Sequence, residues 1–552
     1  MPNKPLLLLI RDGWGIGKKG PGDAVAAAKT PVTDALLAKY PHTVLEAAGE
    51  AVGVRAGSQG SSEVGHLNMG AGRIVEQEIV RVDRMIRDGS LFEVPLYRQA
   101  IERCKANDSA FHLMGLVQDQ GVHSIEDHLF AFVRQLAKEG ITRIFVHFFS
   151  DGRDTAPQSA KTFLSNLEAV FAEAGAGKVA TVIGRYWAMD RGENWDRTEK
   201  AYNCMIKGEG FTAKSAEEAI DAAYARAQEQ KKAGDDIIET DEFIRPTVIV
   251  DENDAPVGLI KPGDCVLHFN YRQDRALQMT KAFVDEDFNS YGFNRGPVGD
   301  YFFMGLTRYY DEFSAELVPP MNMSNLLCDV LSAHNLRQLR IAEFQKYKHV
   351  TSFFNGKLLK PSAGEDRIEV QSITIPEDQQ PEMSIYPVTD MVLTAVNEGI
   401  EAVREKATGC DKSRLELGED MPAGCPVNET YDTIMLNFAN CDMVGHTGSF
   451  DAAVKAVESV DECTGKVVEA VLAKGGTVLV TADHGNAEQM VDANGGVQTS
   501  HTTNLVEFIL VSDEMTDAKL IEKGKLADIA PTMLKILGVD QPAEMTAESI
   551  IE

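Results

Sequence analysis

TVLVTADHG, residues 477–485, decides the fold class. A short β-branched, apolar run that stops at Ala-Asp-His-Gly reads as a buried strand ending in a tight loop. Asp483 and His484 then stand at the carboxyl end of that strand, where open α/β sheets bind their ligands. Adjacent residues at such an end point to opposite sides, so both can approach one centre from different angles. The pattern recurs: LLLLIRDGWG, residues 6–15, delivers Asp12, and TIMLNFANCDMVGH, residues 433–446, delivers Asp442 and His446 at helical i, i+4 spacing. His501, in TSHTTN, stands just before the run LVEFILV. Three Asp and three His form one cluster if these strands are neighbours. Mixed carboxylate and imidazole ligands suit Mn, Zn, Co or Fe, and this many suit two ions better than one.

Strand-like and helix-like runs alternate along the rest of the chain. FHLMGLV, RIFVHFFS, KVATVIG and PTVIV are strand-like; EDHLFAFVRQLAKEG and AAVKAVESVDECTGKVVEAVLAKGG are helical. The alternation predicts βαβ units with parallel sheets, an α/β fold. At 552 residues the chain needs two or more domains. Asp12 must meet residues 442–501, yet 77–321 holds strands and helices of its own, so the expected layout is a discontinuous metal domain, 1–76 plus 322–552, interrupted by an inserted α/β domain, 77–321. ELVPPMNMSN is a plausible second hinge, and residues 408–428, rich in Gly, Pro and charge, read as a surface loop.

A formal charge of −30 argues against nucleic acid and anionic membranes as partners. The eight cysteines are scattered with no CxxC pair, as in a reduced cytoplasmic protein, and Cys441 beside Asp442 reads as a packed residue. LLLLI is too short for a signal-peptide core, and no stretch approaches the ~18 apolar residues of a membrane span.

Two further constellations carry chemistry. In QGSSEVGHLNMGAGR, Ser61 or Ser62 falls where a turn opens into a helix, a place that favours anions. A Ser there beside two metals can attack phosphorus; alone, it would be a helix cap. The second constellation is basic. SDGRDTAP supplies Arg153 and Asp154, GRYWAMDR supplies Arg185 and Arg191, NYRQDRA supplies Arg272 and Arg275, and LVQDQGVHS supplies His123. Several Arg at strand ends of an acidic chain read as an anion pocket, because the guanidinium fork matches phosphate and carboxylate. Metals and nucleophile fall in one expected domain and the guanidiniums in the other, so a cleft between them would take a small phosphorylated carboxylate.

The chain resembles the cofactor-independent phosphoglycerate mutases, which belong with the alkaline-phosphatase-like metalloenzymes. The resemblance runs nearly end to end through DGWG, SEVGHLNMGAGR, GVHS, SDGRDT, GRYWAMDR, NYRQDRA, EFQKYKHVTSFFNG, PEMS, DMVGHTG, TADHGNAE, HTTN and LADIAPTM. It implies an isomerase of glycolysis and gluconeogenesis that interconverts 2- and 3-phosphoglycerate through a phosphoserine, without 2,3-bisphosphoglycerate. It implies a phosphatase-like metal domain carrying an inserted phosphotransferase domain, two divalent ions with Mn2+ foremost and Mg2+, Co2+ or Zn2+ accepted, and a cytoplasmic monomer. By motif, the nucleophile is Ser62. One metal takes Asp442, His446 and His501; the other takes Asp12, Ser62, Asp483 and His484. The substrate takes His123, Arg153, Asp154, Arg185, Arg191, Arg272, Arg275 and Lys346, with Asp154 moving the proton. The sequence departs from the family at Ser61, where Asn is usual, at Gln273, where Pro is usual, after GVHS, where a second His is missing, and at 408–428, which looks inserted. A phosphatase or phosphopentose mutase would share the metal runs but not the Arg set, and a non-catalytic scaffold would not keep every ligand.

Overall fold

The strand Leu6–Arg11 is buried along its whole length and lies at the centre of a nine-stranded sheet. It pairs in parallel with Thr433–Phe438 on one side and Thr477–Thr481 on the other, so that Ile10 faces Asn437 and Thr481 in register. Three such strands, covered on both faces, need continuous apolar runs, which is how they read in the sequence. Their carboxyl ends therefore lie side by side, with Asp12, Asp442 and Asp483 just beyond.

The computed structural model describes residues 4–234, 238–286, 288, 292–293, 295–419, 429–492 and 494–552. The chain divides into two units, Met1–Gln77 with Met321–Glu552, and Glu78–Pro320. In the first, the sheet order is Ser413–Leu417, Glu365–Val370, Gln338–Glu343, Thr433–Phe438, Leu6–Arg11, Thr477–Thr481, Val506–Val511, His42–Glu46 and Lys523–Lys525. The expectation of parallel sheets holds only for the middle. Val506–Val511 runs antiparallel to Thr477–Thr481, because the connection between them contains no helix to carry the chain back across the sheet. That reversal brings the start of the strand, and His501 ahead of it, to the edge where the parallel strands end.

Within the stretch expected to be a surface loop, Thr408 closes the helix Ile400–Thr408, and Ser413–Leu417 forms an edge strand antiparallel to Glu365–Val370. Leu415, half-buried against the core, supplies the apolar contact that a charge-rich reading overlooked. Residues 420–428 lie outside the described residues.

The second unit has an eight-stranded sheet. Its centre is four neighbouring parallel strands, Cys265–His268, Phe111–Leu116, Ile144–Ser150 and Lys178–Gly184. The crossovers are the amphipathic helices Glu126–Lys138 and Ala160–Ala174, whose Leu129, Phe132, Val133, Phe163 and Leu167 pack on the sheet. Again one edge collects the loops: those carrying His123, Arg153, Arg185 and Arg272 follow these four strands. Among the described residues, no helix is long and apolar enough to cross a membrane, and all seven cysteines are free thiols.

Candidate active site

In the first unit, the acidic and imidazole side chains converge. Ser62 is the first residue of the helix Ser62–Ala71, and Ser61 occupies the cap position. Ser62 Oγ lies 3.2 Å from Asp12 Oδ1 and 3.0 Å from His484 Nε2, and accepts from Lys346 Nζ at 2.6 Å. Lys346 Nζ also donates to Asp12 Oδ1 and Asp442 Oδ2, both at 2.7 Å. Asp442 Oδ1 is 3.2 Å from His446 Nε2 and 3.0 Å from His501 Nε2. The Asn440–Gly445 helix supplies the i, i+4 alignment of Asp442 and His446. All seven residues expected to hold metal are thus gathered in one place.

Two triads have ligand atoms within 4.8 Å of one another: Asp442, His484 and His501, and Asp12, His66 and Asp483. His484 Nε2 borders both groups, 3.5 Å from Asp12, 3.9 Å from Asp442 and 3.7 Å from Asp483, so a strict division between two ions does not follow from position alone. Lys346, expected to reach the substrate from this unit, sets its ammonium within the acidic cluster beside Ser62; the helix Phe344–Lys348 that carries it begins directly after the strand Gln338–Glu343 of the same sheet.

These residues fit divalent cations. The Nδ1 atoms of His446, His484 and His501 face the backbone carbonyls of Thr499 (2.6 Å), Gly485 (3.3 Å) and Gly60 (2.9 Å), which places a proton on each Nδ1 and turns each Nε2 toward the cluster, where it can hold a cation once it gives up any proton of its own. His446 and His501 consequently set Nε2 against Nε2 at 3.0 Å, an arrangement a shared cation or proton relieves. Both oxygens of buried Asp483 lack an aligned hydrogen-bond donor among the described residues, and His66 Nδ1, 3.2 Å away, is engaged by the Ser62 carbonyl at 2.9 Å. Burial opposes charge on Lys346, but Asp12, Asp442 and Asp483 outweigh it and hold the ammonium well above an ordinary lysine. Burial likewise opposes protonation of His501, yet Asp442 raises it to about 9. Each shift reports the same surplus of negative charge, the field a cation would neutralise.

Behind Asp12, His66 and Asn437 escaped the sequence reading. His66 Nε2 and Asp12 Oδ2 share the amide of Asn437, at 3.1 and 2.7 Å, so His66 and Asn437 brace Asp12 from behind. SEVGHLN offers the signal, since His66 lies one helical turn from Ser62.

The second unit collects the basic set. Arg185 Nη1 donates to Asp151 and Asp154, each at 2.6 Å. Burial raises Asp154, but Arg185 more than reverses this and holds it as a carboxylate below the usual range. Arg191 and Arg272 reach Asp274 at 2.7 and 3.1 Å, and His123 Nδ1 stands 3.5 Å from it. Burial, then the neighbouring charge of Arg185, pushes His123 down to about 4, so it is neutral near pH 7. Arg275 is depressed by burial and by the guanidiniums of Arg185, Arg191 and Arg153, which places four Arg in one field. Arg153 itself pairs with Glu242 at 3.2 Å. Asp151 and Asp274 anchor this set and were not singled out from sequence.

Residues 82–311 match the family model for the BPG-independent PGAM N-terminus, and residues 424–541 match the Metalloenzyme superfamily. The chain is 45% identical over 551 residues to the 2,3-bisphosphoglycerate-independent phosphoglycerate mutase of Moorella thermoacetica, covering 100% of this chain and 98% of that protein. It is 44% identical to the protein of the same name from Clostridium novyi, with both chains fully covered. A crystal structure of Leishmania mexicana phosphoglycerate mutase at low cobalt concentration is similar with a TM-score of 0.57 and 31% identity, covering 100% of this chain and 98% of that one.

Proposed function

The chain belongs to the 2,3-bisphosphoglycerate-independent phosphoglycerate mutases, and from that membership we propose that it interconverts 2- and 3-phosphoglycerate through a phosphoserine on Ser62. It is an isomerase that binds divalent metal and acts on a small molecule. Its place is the glycolytic chemistry of the cytoplasm, as a monomer with two Mn2+ ions. The observation that carries this reading is the position of Ser62 Oγ within 3.2 Å of Asp12, His484 and Lys346 together.

Asp12, Asp442, His446, Asp483, His484 and His501 would hold the ions with Ser62. Bound there, divalent ions supply Lewis acidity, lowering the pKa of the serine hydroxyl and neutralising charge on phosphoryl oxygens. The chain's own residues do the rest. Ser62, at the head of a ten-residue helix, attacks phosphorus where backbone N–H groups and the helix dipole favour an anion. Lys346 adds a fixed positive charge next to the attacking oxygen. His123, Arg153, Arg185, Arg191, Arg272 and Arg275 bind glycerate through its carboxylate and hydroxyls. Asp154 moves the proton between the two glycerate oxygens. Its ion pair with Arg185 keeps it ionised in the free protein; a substrate carboxylate drawing on Arg185 would loosen that pair and raise its proton affinity, so that Asp154 takes up a proton on binding, gives it to the departing glycerate oxygen and then takes one from the hydroxyl that receives the phosphoryl group back. The glycerate must stay bound and water stay out until the phosphoryl group returns, or the outcome is hydrolysis.

Turnover of 3-phosphoglycerate by the wild-type chain and by Ser62→Ala tests this. Ser62→Ala should have no measurable mutase activity, while Ser61→Ala keeps a substantial part of it. Phosphopeptide mapping of quenched enzyme that finds the label on Ser61 would sink the assignment.

A further inference from the structure

Glu488 is buried, and its carboxylate receives four hydrogen bonds from three loops, each bearing residues of the acidic cluster. Oε2 accepts the backbone N–H of Gly15 at 3.1 Å and of Asn486 at 2.7 Å. Oε1 accepts the Thr502 hydroxyl and, at 2.9 Å, the Asn504 amide. Gly15 lies three residues past Asp12, Asn486 two past His484, and Thr502 directly follows His501. Asn486 in turn donates its side-chain amide to Asp442 Oδ1 at 3.0 Å. One carboxylate therefore gathers three metal-bearing loops and reaches the fourth through one intermediary. A carboxylate offers about four acceptor sites, and all four are taken here.

Two glycines of the DGWG and ADHG motifs gain a reason from this. A Cβ at Gly15 would run into the Glu488 carboxyl carbon, and one at Gly485 into Glu488 Oε1 and Thr502 Oγ1. Both loops lack side chains where the carboxylate enters. The bonds of Glu488 go to backbone and to neutral side chains, so its contacts reach the cluster through the loops it ties.

We propose that Glu488 is a positioning residue that sets the spacing of the metal-bearing loops and thereby the affinity and geometry of divalent-metal binding. The proposal rests on the reading that Asp12, Asp442, His484 and His501 hold metal. Outer partners of metal ligands typically change metal affinity ~10–100-fold when altered, and this one serves several ligands at once.

Glu488→Gln is the test. The amide is nearly isosteric but turns an N–H2 group against either two backbone N–H donors or the Thr502 and Asn504 donors. Metal-stripped full-length protein is titrated with Co2+ and followed by its visible absorption, alongside circular dichroism. The wild-type chain should saturate two sites. The variant should stay folded, shift the titration midpoint upward roughly 10–100-fold and change the absorption bands, with kcat reduced at saturating metal more than KM for 3-phosphoglycerate rises. Thr502→Val, which removes one donor and keeps the side-chain shape, should move the midpoint the same way by a smaller factor; it carries the test if Glu488→Gln does not fold. A folded variant with lowered thermal stability but the wild-type Co2+ midpoint and spectrum overturns the proposal, because Glu488 is then merely structural. A wild-type chain that takes up no Co2+ overturns the metal reading and this inference with it.

Discussion

Gly65→Ala places a methyl group between the helix Ser62–Ala71 and the Asp483 loop. The added Cβ would lie 2.9 Å from the Cβ and from the backbone oxygen of Asp483, whereas ordinary contact begins near 3.4 Å. The helix Ser62–Ala71 and the loop must therefore part by about 0.5 Å, the difference of those distances. On stability, two effects oppose. Ala in a helix interior gains about 1 kcal/mol over Gly, and overpacking a tight contact costs about 1–3 kcal/mol. The net is a loss of roughly 0–2 kcal/mol, which a folded enzyme tolerates. On catalysis the effects do not offset. Ser62 begins that helix and Asp483 and His484 belong to the loop, so the shift separates the proposed nucleophile from its neighbours. A displacement of ~1 Å can cost ~10²-fold in rate, so half that distance should cost roughly 10-fold in kcat. The assay is steady-state turnover of 3-phosphoglycerate coupled to excess enolase, with thermal unfolding measured in parallel. A variant with kcat within about twofold of wild type, and with equal metal content, would show that the helix-to-loop contact does not govern the position of Ser62.

Four further outcomes follow from the same geometry. Lys346→Met leaves Asp12 and Asp442 without their ammonium and should lower kcat by ~10²–10³-fold, as loss of a preorganised charge does; activity near wild type would remove Lys346 from the mechanism. Chelation should abolish turnover without unfolding the chain, since Lys346 still bridges Asp12, Ser62 and Asp442; loss of the far-ultraviolet circular dichroism signal on adding chelator would contradict this. Burial pushes Glu126 up to about 7, above the ~4.3 of an unfolded chain. The folded state therefore holds the extra proton between those values, and stability falls as pH rises from about 4.3 to about 7. Glu126→Gln should flatten that slope and add about 1 kcal/mol at pH 8, after discounting for partial exposure; an unchanged pH profile of the melting temperature would refute it. Arg191→Ala removes one fork from the set proposed to hold glycerate, so KM for 3-phosphoglycerate should rise as total activity falls; a wild-type KM would remove Arg191 from substrate binding.

The residues by themselves determined the carboxylate and imidazole make-up of the cluster and its placement on a sheet edge. Asp12, Asp442 and Asp483 each follow an apolar run long enough only for a strand, and parallel strands buried on both faces have to be written that way. The resemblance then picked Ser62 over Ser61, a choice that helix propensity and capping preference left open. Tertiary structure decided what local pattern does not encode. The antiparallel direction of Val506–Val511 brings His501 to the edge where the parallel strands end, and only pairing reveals that direction. Lys346 lies 334 residues from Asp12 in sequence and 2.7 Å from it in space, so no spacing rule could seat its ammonium among the acids. Glu488, Asn437, Asp151 and Asp274 looked like unremarked polar residues of turns and strands. A hydrogen bond's partner is set by which loops the fold folds together, and the amino acids flanking each residue carry no record of that.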